Sequence, residues 1–230
     1  MPYFDTLIPH AHYLLIPGLL GAQLILSLVL QKGDICPGQR GRVHKVLPLI
    51  ILGWGLSAWF APVALLPLSL LAAFTVKVKT SKTRDKGPIL LLNLSSITAV
   101  MSLLWLITQQ FTLFSLLFVL LVVVILGSSL AHLFLIQARS RLQAFHKLLP
   151  VIGTVAVMLL ILATLIPISA LEASLLQKIT PILLSSFVLL VMAVVGWVWH
   201  LIRVKAVSKM QIALSLCLLS ASLTLQTILL

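Results

Sequence analysis

The chain has 230 residues, of which 61% are hydrophobic and only 9% charged. That excludes a water-soluble domain of this size, which carries far more charge on its surface. Net charge is +12, but the bases sit in short loops between long apolar runs. They read as topology signals that also attract anionic lipid headgroups, not as a nucleic-acid surface.

The chain reads as an all-α integral membrane protein with eight transmembrane helices, since no alternating ten-residue barrel segments occur. Residues 1–11, with Pro2, Asp5, Pro9 and His10, are expected to form an outer tail. The first helix runs from about His12 to Leu30, and the first basic residue, Lys32, follows it. A signal peptide would show the reverse order. Residues 31–45 form a basic loop interrupted by glycine and proline.

Residues 46–76 give 31 positions without a charge. A single helix of that length would span about 46 Å, well beyond a hydrocarbon core of about 30 Å. Pro62 disfavours helix at Ala61, so a hairpin of two short helices turning near Phe60–Pro62 is expected. The most basic loop follows, with Lys77, Lys79, Lys82, Arg84 and Lys86. A fourth helix covers about Gly87 to Thr108, and Gln109–Gln110 make a short turn. The fifth runs from Thr112 to Gln137 and the sixth from about Leu148 to Ile166, with Pro150 in its first turn. Residues 167–179 form a larger loop. The seventh covers about Pro181 to Ile202 and the eighth Met210 to Leu229.

With this count the four loops on one side hold four, five, three and three basic residues, leaving only Lys178 opposite. The positive-inside bias therefore places both termini outside a bacterial-type inner (plasma) membrane. Trp59 and Trp105 fall near outer ends. Trp197 and Trp199 fall near an inner end, and Trp54 is left mid-helix.

A repeat is visible. Gly18–Leu–Leu–Gly–Ala22 with Gln23 precedes His44–Lys45 and Pro48. Gly127–Ser–Ser–Leu–Ala131 with His132 precedes His146–Lys147 and Pro150. Residues 1–110 and 111–230 then form two four-helix halves of one membrane domain. An even number of crossings makes the halves parallel, a 4+4 arrangement. The Gly-xxx-Ala faces suit close helix approach.

All four acids lie in the tail or loops. Cation-coupled transporters usually keep a carboxylate within the membrane, so that class is disfavoured. No Gly-x-Ser-x-Gly element occurs, and binding or transport is favoured over catalysis. Cys36 and Cys217 form no redox or metal pair, and His10-x-His12 supplies too few ligands for a metal site.

His132 is an imidazole inside the fifth helix, and Gln23 is its counterpart. Together they are expected to line a polar site between the halves. His44, Lys45, His146 and Lys147 are expected to offer cationic sites for phosphate or carboxylate at two helix starts. The leading reading is a permease-like or lipid-handling protein that moves or binds a small anionic or amphipathic molecule. One alternative is a b-type haem protein using His132 and His200. Another is a non-catalytic subunit or assembly factor with membrane-protein partners.

Overall fold

The structure, a computed structural model, describes residues 11–33, 35–78, 86–109, 112–139, 142–204 and 206–230. The tail with His10 lies outside these residues, as do Asp34, Lys79, Lys82, Arg84, Asp85, Gln110, Arg141 and Lys205. Regular structure among the described residues is helical. In chain order it comprises α1 His12–Lys32, α2 Pro37–His44, α3 Leu47–Phe60, α4 Leu65–Val78 and α5 Ile89–Gln109. The second part comprises α6 Leu113–Gln137, α7 Gln143–Ala163, α8 Leu165–Ser169, α9 Ala173–Ile202 and α10 Lys209–Gln226. Among the described residues seven helical stretches are long and apolar enough to cross a membrane, and Pro62–Val78 is a shorter apolar one.

The hairpin within residues 46–76 is present. Ala61 is extended at φ −140° and ψ 102°, and a single 3-10 turn at Pro62–Ala64 follows it. Proline removes the helical option from the residue before it, so the chain reverses there. At the start of α6, Thr112 and Ser115 form a reciprocal capping box. Each side chain satisfies a backbone N–H that the helix leaves open.

Three boundaries differ from the sequence expectation. The loop at 31–45 contains α2, started by Pro37, whose fixed φ suits the first helical position. The sixth crossing begins at Gln143, so His146 and Lys147 lie inside α7 and Pro150 is internal rather than in the first turn. The seventh begins at Ala173, not Pro181, which shrinks the expected loop at 167–179. Pro181 removes the N–H that would bond the carbonyl of Gln177. Gln177 is exposed, so that carbonyl is near the surface and the helix continues.

The helices pack as two rings of four. In the first, α1 meets α3, α3 meets α4, α4 meets α5, and α5 returns to α1. In the second, α6 meets α7, α7 meets α9, α9 meets α10, and α10 returns to α6. The cyclic order is the same in both. The rings join mainly through α1 against α6.

That seam is a backbone approach. A Cβ built on Gly127 would lie 2.5 Å from the Gly21 Cα, and one on Gly21 would lie 2.8 Å from the Gly127 Cα. The partner of Gly127 is thus Gly21 rather than Gly18, which faces the Leu126 side chain. Glycine is needed at 21 and 127 because no side-chain atom fits between the helices.

The described basic segments converge at one end. Lys86 Nζ donates to the Gln31 carbonyl (3.3 Å), tying the start of α5 to the end of α1. Arg42 Nε donates to the Ala138 carbonyl (2.9 Å), and Lys209 Nζ donates to Gln137 Oε1 (2.6 Å). Both bonds hold other elements to the end of α6.

Candidate functional site

Gln23 and His132 each receive a hydrogen bond from a buried indole. Trp54 Nε1 donates to Gln23 Oε1 at 2.7 Å, and Trp197 Nε1 donates to His132 Nδ1 at 2.9 Å. Both tryptophans are fully buried. For Trp197 this replaces the interfacial position that its closeness to the helix end suggested. Trp59, which is 86% exposed, keeps a peripheral place, and Trp199 stacks under Arg203 at 4.7 Å.

The two sites then diverge. Gln23 Nε2 donates to Ser95 Oγ (3.0 Å), and Ser95 Oγ donates to the Pro67 carbonyl (3.1 Å). Four residues thereby connect α3, α1, α5 and α4, every helix of the first ring. The amide of Gln23 has a partner at both ends. Its role in this arrangement is to hold helices together in a setting with little water to substitute for a lost partner.

His132 is fully buried, and its Nε2 has no partner among the described residues. An indole nitrogen can only donate, so His132 Nδ1 must accept and the neutral ring carries its proton on Nε2. The second ring therefore holds one unspent buried N–H. Its neighbours are two more histidines. The ring centroids of His146 and His200 lie 5.3 Å and 5.6 Å from that of His132.

Local sequence explains how this cluster forms. Pro150 lacks the N–H that would bond the carbonyl of His146, four residues earlier. That carbonyl instead faces His200 Nε2 at 3.2 Å. His200 Nδ1 lies 2.9 Å from the Trp197 carbonyl. Carbonyls can only accept, so a neutral His200 ring serves one of them and an imidazolium serves both. On the far side, Gly153 leaves room for the indole of Trp197, and a Cβ there would strike the ring. Replacing Gly153 by alanine is therefore expected to displace Trp197 from His132 and to lower the melting temperature by several degrees. A thermal melt in detergent checks this.

A half-open cavity of about 500 Å³ adjoins the cluster, and its lining includes the polar Gln143, His146, Lys147 and His200 and the apolar Leu201, Val204, Ala206 and Val207. The structure thus brings together His132, His146 and His200, with Lys147 at the cavity wall. Gln23 belongs to the other ring. His44 also stands apart: it is fully buried, edge-on to Phe74 at 5.8 Å, with neither nitrogen partnered among the described residues. Lys45 lines a different recess, between the rings, with Arg42 and Arg139.

Sequence reading proposed His132, His146 and Lys147 for a binding role, and kept His200 for haem. It missed Trp197, Pro150 and Gly153 as the residues that shape the cluster. The spacing signal was available for one of them, since a proline four residues after a histidine frees that carbonyl.

A family described as an integral membrane domain matches residues 6–229. A Haemophilus influenzae protein described as uncharacterized is 32% identical over 153 residues, which cover 58% of this chain. The same match spans 53% of that protein, about half its length. No solved structure matches. With nearly its whole length covered and apolar helices throughout, the chain belongs to this integral membrane domain family.

Proposed function

We propose that the protein binds and handles a small anionic or amphipathic molecule, in a permease-like or lipid-handling role, through the histidine cavity at its basic end. In this reading the two helix rings are a parallel repeat with both termini outside. The basic loops face the cytoplasmic side of a bacterial-type plasma membrane, where anionic headgroups are attracted.

The composition of the cavity wall carries the reading. Gln143, His146, Lys147 and His200 offer N–H donors or positive charge, and Leu201, Val204 and Val207 offer an apolar surface beside them. The volume lies within the roughly 300–1,000 Å³ usual for small-ligand sites. A negatively charged head with an apolar body matches this mixed lining.

Native mass spectrometry of the detergent-purified protein, with and without added phosphatidylglycerol, tests the proposal. Wild-type protein is expected to retain an anionic adduct, and Lys147→Gln/His200→Ala to lose it while still folding. An adduct of equal occupancy in both would overturn the assignment.

A b-type haem protein remains the second reading, favoured by the 5.6 Å separation of the His132 and His200 rings. Against it, both nitrogens of His200 face backbone carbonyls, so ligation would require that ring to turn. Oxidised and dithionite-reduced absorbance spectra separate the two. A reduced haem band absent from His132→Ala would favour haem, and a featureless spectrum of folded protein would remove it.

Pro150→Ala gives a further expected outcome. The new N–H would bond the His146 carbonyl and displace His200 from it. Thermal stability should hold or rise, since proline in a helix interior is unfavourable by about 3 kcal/mol. Adduct occupancy should fall.

A further inference from the structure

A second cationic recess lies where the two rings meet at the basic end. Its volume is about 470 Å³, and it is lined by Arg42, Lys45, Val46, Pro48 and Leu49 from the first ring's side, with Gln137, Ala138 and Arg139 from the end of α6. Arg42 spends Nε on the Ala138 carbonyl and Nη2 on the Arg139 carbonyl, at 2.9 and 3.4 Å. Gln137 in turn accepts from Lys209. Three cations from two segments thus line one opening, and a fourth, Lys209, is bonded to Gln137 in its wall.

Among the described residues, no hydrogen bond or ion pair engages the side chain of Lys45 or Arg139, although the Arg139 carbonyl accepts from Arg42. Arg139 is also held at φ 49°, a left-handed conformation unfavourable for a residue with a side chain. Like charges gathered around an opening repel one another unless an anion sits among them. Val46, Pro48 and Leu49 add an apolar flank beside the charges.

We infer that this recess binds a phosphate group, and that the bound phosphate clamps the two helix rings together at their basic end. The group is a monoester or diester phosphate, carried by an anionic glycerophospholipid or free in solution. Arg42 is already committed to the α6 carbonyls, so Lys45 and Arg139 supply the open donors. The site is separate from the histidine cavity: their linings share no residue.

The test is a thermal melt of the full chain in neutral detergent with phosphatidylglycerol, phosphatidylcholine or inorganic phosphate added. A rise with phosphatidylglycerol but not phosphatidylcholine supports a lipid phosphate. An equal rise with inorganic phosphate supports the free anion. Lys45→Gln/Arg139→Gln should bind the stabilising anion about thirtyfold more weakly, as two lost cations predict. Lys77→Gln/Lys86→Gln removes the same charge at the same end and should keep the wild-type response. No rise with any addition would overturn the inference, and so would a rise undiminished in Lys45→Gln/Arg139→Gln.

Discussion

Gly127→Val is expected to separate the two helix rings. The seam between α1 and α6 has room for no substituent at this point. Even the Cβ of an alanine at 127 would sit 2.5 Å from the Gly21 Cα and 2.8 Å from the Gly21 carbonyl carbon. The obstructing atoms are backbone, so they cannot rotate away as a side chain would. Relief requires the helices to move apart along the seam. Within a membrane, helix association has little hydrophobic drive and rests on close packing. Overpacking a tight interior costs about 1–3 kcal/mol and occasionally more. Here the whole inter-ring contact is loosened, so a loss of about 3 kcal/mol is expected for alanine, with valine worse. Gly55 is the matched control. A Cβ on Gly55 meets nothing within 4 Å, and Gly55→Ala should hold or slightly raise stability. Melting curves in detergent compare the variants. Equal curves for Gly127→Val and Gly55→Ala would rule out the close approach.

Much of the bundle was legible because bilayer physics restricts the options. Lys32 and Pro62 each located an element boundary, since charge and proline act locally. The same reasoning failed at Pro150 and Pro181. Both lie inside helices, where a proline is accommodated if the carbonyl it frees can find another partner or the surface. Whether such a partner exists is a property of tertiary packing: His200 comes from a different helix than His146. The pairing of Gly127 with Gly21 instead of Gly18 has the same origin. Spacing shows that a small-residue face exists, while the helix crossing decides which glycine it uses. Trp197 was misplaced because its closeness to Arg203 suggested an interface. The helix face decides otherwise, pointing Trp197 at His132 and Trp199 outward. Gln23 and His132 were found as a pair from sequence order alone, but order carries no information about the bonds that distinguish them.

Those bonds give the second large expected effect, a division of labour between Gln23 and His132. Gln23→Leu leaves the buried N–H of Trp54 without an acceptor and removes the link to Ser95. Interhelical hydrogen bonds in membranes are worth about 0.6–2 kcal/mol each, so a loss of about 2 kcal/mol is expected. Ligand occupancy of the folded fraction should not change, because the side-chain hydrogen bonds of Gln23 stay within its own ring. His132→Ala removes one bond, from Trp197, and the unspent Nε2 of the ring that neighbours His146 and His200. Its expected signature is the reverse: a smaller stability loss and about tenfold weaker ligand retention, the equivalent of one hydrogen bond of about 1.4 kcal/mol. His132→Gln supplies the decisive comparison. A glutamine there can accept from Trp197 through its oxygen and still present an N–H, which is the geometry Gln23 already uses in the first ring. Stability and retention should both recover in His132→Gln if His132 acts through those two hydrogen bonds. Equal loss of ligand in Gln23→Leu and His132→Ala, at matched stability, would mean that one site spans both rings and would overturn the division.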